Sequence, residues 1–70
     1  MLETLKDLVE RRPFVPFTVV LSSGDRHEVR YPATLSVGKQ LAILIDPESD
    51  RHHDLRVAQI VDLEVAASAG

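Results

Sequence analysis

The residues of this 70-residue chain best suited to chemistry are three histidines and a run of acids. His52 and His53 lie in "DPESDRHHD", residues 46–54, and His27 lies well upstream. Imidazole is the commonest protein ligand for transition metals. Adjacent residues on a strand face opposite ways, however, so His52 and His53 would not chelate one ion together. His27 could join one of them only through the fold. Asp46, Glu48, Asp50 and Asp54 occupy the first, third, fifth and ninth positions of a calcium-loop spacing. Such a loop requires glycine at the sixth position and a bidentate glutamate at the twelfth, and Arg51 and Val57 stand there instead. The run therefore reads as a polar turn or loop in water, with no metal or cofactor expected.

The cations offer a second kind of chemistry. Arg26 and Arg30 flank Glu28, and Arg51 precedes the tandem histidines. Arg26, Arg30, Arg51, His52 and His53 make up the candidate nucleic-acid or partner surface. Single-strand binding also needs aromatic platforms for the bases. Here Tyr31 is the one aromatic nearby, and strict alternation assigns it to the face opposite the arginines. A formal charge of −3 and a pI near 5.4 disfavour RNA and anionic membranes. Ser22, Ser23 and His27 show no spacing of a nucleophile elbow, and no glycine-rich phosphate loop is present. A chain this short also has little room for an enclosed pocket, so the expectation is a non-enzyme.

Several elements must position these groups. Leu2, Leu5, Leu8 and Val9 share a helical face, predicting a helix over about 2–12 that Pro13 stops. Asp7 and Arg11 have the spacing of a helical ion pair, and Arg11 with Arg12 suits the negative end of the helix dipole. Phe17, Val19 and Leu21 alternate with Thr18, Val20 and Ser22. "SSGD" is a turn, and His27, Val29 and Tyr31 alternate in the returning strand. Leu35 and Val37 suggest a short third strand before a turn at Gly38, Lys39 and Gln40. "LAILI", 41–45, is apolar at every position and reads as the most buried strand. Leu55 and Val57 suggest a fifth strand, "VAQI" a tight turn, Val61, Leu63 and Val65 a last strand, and 66–70 a frayed tail. The expected fold is mostly β with one N-terminal helix: a single domain over 1–65, built as a small, strongly bent five- or six-stranded antiparallel sheet or barrel.

"RRPFVPF", 11–17, joins helix to first strand. A PxxP ligand is one reading. A rigid elbow is favoured, because the segment connects two ordered elements. Pro13 and Pro16 would then fix the exit angle, while Phe14 and Phe17, the only phenylalanines in the chain, anchor helix and strand to one core. A chain of this length is near the lower limit for a self-sufficient core, and without cysteine it has no disulfide staple. Self-association is the remaining stabiliser, so a homo-oligomer is expected, with Val20, Ala42 and Leu44 lacking an assigned inner face. Composition is that of a folded protein, 44% apolar and 27% charged. No apolar run approaches the about 18 residues of a membrane span. The charged N-terminus lacks the apolar stretch of a signal peptide, which suggests a cytoplasmic protein.

The segment "RRPFVPFTVVLSSGDRHEVRYP" resembles a group of short, uncharacterised bacterial proteins that carry a leading helix and an R-P-F-x-P-F element, and "VAQIVDLEV" resembles their closing segment. The layout is also similar to Sm-like RNA-binding proteins, in which an N-terminal helix precedes a strongly bent barrel. "FTVVLSSGDRHEV" resembles the opening of that barrel and "VAQIVDLEV" its closing turn and strand. This chain has Val29 where the Sm pattern usually has a second glycine, and "ATLSVGKQ" lacks the pattern's Asp and Asn. The resemblance therefore implies an architecture and an oligomer, with single-stranded RNA binding as the alternative function. It carries over no RNA-binding residues.

Overall fold

The computed structural model describes residues 1–65, so the tail expected at 66–70 lies outside the described residues. The chain forms α1 (Leu2–Glu10), β1 (Phe17–Leu21), β2 (Arg26–Val29), β3 (Leu35–Val37), β4 (Leu41–Asp46), β5 (Arg51–Arg56) and β6 (Ile60–Val65), with 3-10 turns at Pro32–Thr34 and Val57–Gln59. The strands form two antiparallel three-stranded sheets, ordered β2-β1-β6 and β3-β4-β5. Neither closes into a barrel. The fold is thus mostly β with one N-terminal helix, and its six strands divide into two sheets where one bent sheet was the simplest expectation.

The division falls at Pro32. Val29 is fully buried in the core, and the chain turns just after it through Tyr31 to Thr34. Pro32 has no N–H to give a ladder. Thr34 N–H and its hydroxyl both donate to the Tyr31 carbonyl, at 3.2 and 2.7 Å. A local turn therefore replaces the glycine bend that would let one strand serve both sheets.

Leu5 and Leu8 of α1 join Phe17, Val19, Leu21 and Val29 of the first sheet and Leu35, Ala42, Leu44, Leu55 and Ile60 in one buried cluster. Phe14 packs on its edge, with its ring 6.0 Å from that of Phe17. The Arg12–Pro13 peptide is cis. The helix stops at Glu10, earlier than expected, because Arg11 is already extended at φ −59 and ψ 136. Arg11 therefore cannot stand one turn from Asp7, and the expected ion pair is not formed among the described residues. Neither arginine lies in the helix's last turn, where the longer helix would have placed them. Arg12 instead reaches back from beyond the helix, its guanidinium donating to the Val9 and Arg11 carbonyls at 2.9 and 2.8 Å.

Two turns depend on glycine. Gly24 sits at φ +94 in the β1–β2 hairpin, where its N–H reaches the Leu21 carbonyl at 2.9 Å. Gly38 lies so close to β4 that a Cβ would meet the Leu41 carbonyl oxygen at 2.9 Å, inside contact distance.

Three strand expectations are corrected. β4 is not buried on both faces: Ala42 and Leu44 point into the core, while Leu41, Ile43 and Ile45 are 39%, 37% and 43% exposed. Ala42 and Leu44, which lacked an assigned face, are thus inner residues, and Val20 is half-buried on the outer side of β1. Residues 46–54 are not all loop, since β5 begins at Arg51 and leaves only 47–50 as the turn. Finally, Val20 pairs with Asp62 but Leu21 pairs with Ile60, so Val61 is an unpaired extra residue. That bulge puts Ile60 in the core and leaves Val61 58% exposed.

Candidate functional site

A cleft of about 540 Å³ opens where β2 and the turn after it meet the β4–β5 hairpin. Three of the five candidate surface residues, Arg26, Arg30 and His53, line it. Arg51 and His52 do not. Alternation on β5 accounts for His52: it lies opposite Ile45 on the outer face, whereas His53 lies opposite Leu44 on the inner one. Asp54 faces outward with Ile43. The four acids of the calcium-like spacing are therefore spread over the end of β4 (Asp46), the tight turn (Glu48 and Asp50) and β5 (Asp54). Among the described residues no group of three or more His, Cys, Asp or Glu side chains is placed to hold a metal ion.

Both arginines of the cleft already have a carboxylate. Arg26 donates to Glu64, reaching across β1 to β6, and Arg30, just past the end of β2, donates back to Glu28 on that strand. The Glu28 hydrogen bond, reinforced by its charge, raises the Arg30 pKa further above its ordinary value. These pairs are exposed and add little stability, but they cancel the positive field that a phosphate backbone would seek.

Tyr31 differs from expectation. It follows the end of β2 and precedes the 3-10 turn, so alternation no longer governs it. It is 59% exposed and lines the cleft beside Arg30.

The acidic side of the cleft is held by the turn after β4. Asp46 accepts from the Glu48 N–H at 3.0 Å, and its own carbonyl accepts from the Asp50 N–H at 2.9 Å. Asp50 tolerates the left-handed φ of 57 that closes this turn. Hydrogen bonds from the Glu48 backbone and then the Ser49 side chain hold the Asp46 carboxyl below its ordinary value of 3.8. His27 was the residue that could meet another histidine only through the fold, and it does: the His27 and His53 rings lie 5.0 Å apart.

The outer face of the second sheet is a different surface. Leu41, Ile43 and Ile45 form an aliphatic row along β4, bordered by Arg56, Asp54 and His52 at the register-matched positions of β5. Sequence reasoning missed this row, because a strand apolar at every position carries no polar mark to show which face meets water. No helix among the described residues is long and apolar enough to cross a membrane. Comparison of the chain with protein-family models, curated proteins and solved structures finds no match.

Proposed function

We propose that this chain is a non-enzymatic assembly module that packs against a second copy of itself through the outer face of β4. The observation that carries this reading is the row of three large aliphatics, Leu41, Ile43 and Ile45, each more than a third exposed. Isolated exposed aliphatics are ordinary, whereas a contiguous row of them offers an apolar strip that a partner can cover. A two-fold apposition sets such a row against itself, as an isologous contact requires. Arg56, Asp54 and His52 then fall at the rim, where charged residues are tolerated. The small core supports the same reading, since a chain of this length gains stability from association. The sequence resemblance to Sm-like proteins, which assemble, points the same way, although the two sheets here do not close into a barrel. The resemblance to short bacterial proteins suggests a bacterial cytoplasmic setting.

The test mixes two isotopically distinct preparations and looks for contacts between methyl groups of different copies. Contacts at Leu41 and Ile43 are expected. Contacts confined to α1 or β6 would place the interface elsewhere and overturn the assignment of this face.

A second reading, single-stranded RNA held in the cleft, draws support from Tyr31, an exposed aromatic beside two arginines. It ranks second because both arginines are already paired with carboxylates and the net charge is negative. Retention on RNA that persists at high salt would reverse the order.

A further inference from the structure

We propose that His27 and His53 together form a two-imidazole site for a divalent transition-metal ion of the nickel, copper or zinc kind. The two residues come from different sheets, β2 and β5, and their ring centroids are 5.0 Å apart with planes tilted by 41°. A metal–nitrogen bond of about 2.0–2.1 Å, extended by about 1 Å to each ring centre and opened to a near-tetrahedral angle, gives a centroid separation of about 5 Å. The observed spacing leaves room for two imidazoles to share an ion.

Each histidine has a buried apolar neighbour across its strand pair. His27 lies opposite the fully buried Val19, and His53 lies opposite the buried Leu44. Glu28, Asp46 and Glu48 line the same cleft and offset the charge of Arg26 and Arg30. Asp46 is committed to the turn and Glu28 to Arg30. With no third His, Cys, Asp or Glu completing a cluster among the described residues, the ion keeps open positions for water or for a donor from another molecule. Imidazole donors select borderline metals over magnesium and calcium, which require oxygen ligands. An ion held this way ties the two sheets together at the cleft mouth. Aromatic packing alone also accommodates a 5.0 Å separation, so the experiment must separate the two.

Tag-free protein titrated with nickel chloride, followed by calorimetry and thermal melting, is expected to take up one ion per chain and to melt higher when loaded. Magnesium chloride should do neither. His27→Gln and His53→Gln should each weaken nickel binding by at least about tenfold, while His52→Gln, facing the other way, should leave it unchanged. A measurement without substitution guards against misfolded variants: substoichiometric copper should broaden the amide resonances of His27, Val19 and His53 before any others. No saturable nickel binding, an equal loss in His52→Gln, or broadening centred on His52 would each overturn the proposal.

Discussion

The two sheets share one core and differ on their outer faces. On β2-β1-β6 the outward positions hold Arg26, Glu28, Asp62 and Glu64 around the half-buried Thr18 and Val20, and Arg26 reaches Glu64 across the central strand. On β3-β4-β5 the outward positions of the central strand are all aliphatic. A face that meets only water gains nothing from three large aliphatics, and paired charges keep it soluble. The contrast is that the outer face of the first sheet carries charges on its edge strands, while the central strand of the second leaves a row of aliphatics open, which is the feature that the proposed self-association uses.

The largest expected effect breaks both sheets at once. Phe17 is 1% exposed at the junction of elbow, helix and first strand. Phe17→Ala should cost about 3 kcal/mol or more, which in so small a domain means loss of cooperative unfolding in a denaturant titration. Phe14→Ala, at a half-buried position, should cost less. If Phe17→Ala kept wild-type stability and lost a binding partner instead, the Pro-Phe segment would be a ligand and not an elbow.

Smaller effects separate the two faces. Ile43→Lys should abolish association while changing the intrinsic stability of one chain by less than about 1 kcal/mol, as read from unfolding at high dilution. The matching change on the charged sheet, Arg26→Ala with Arg30→Ala, should leave both assembly and folding essentially unchanged, because both ion pairs are exposed. It should, however, remove any low-salt retention on RNA. Dissociation of the assembly by the arginine pair would mean that the interface had been placed on the wrong sheet.

The smallest effect lies in the turn after β4. The folded state depresses the Asp46 pKa below 3.8, so this carboxylate contributes stability above the unfolded value. That contribution is lost as pH falls through the lower folded value. Asp46→Asn should therefore flatten a small part of the acid dependence of the melting temperature below about pH 4 and leave neutral pH nearly unchanged. An unchanged acid profile would show that the turn does not draw on the charge.

Much of this fold was legible because its signals are local. The leucine spacing of α1, the Phe17–Leu21 alternation and the glycine turn at Gly24 each specify an element within a few residues. What was not legible depends on contacts between distant residues. Nothing near Val61 marks the bulge, which arises from pairing with β1. "RHHD" looks polar enough for a loop, yet it pairs with β4 because Leu55 anchors its end in the core. The meeting of His27 with His53 requires both sheets to be in place. The face of β4 that stays open could be read only once Ala42 and Leu44 were seen inside, because their neighbours are just as apolar.

The mass of the native particle tests the central claim most directly. Light scattering on the wild-type chain and on Ile43→Lys, each at tens of micromolar, should give at least twice the mass of one 70-residue chain for the first. The second should give the mass of a single folded chain. A wild-type monomer at that concentration, or an Ile43→Lys variant that remains fully assembled, would contradict the account.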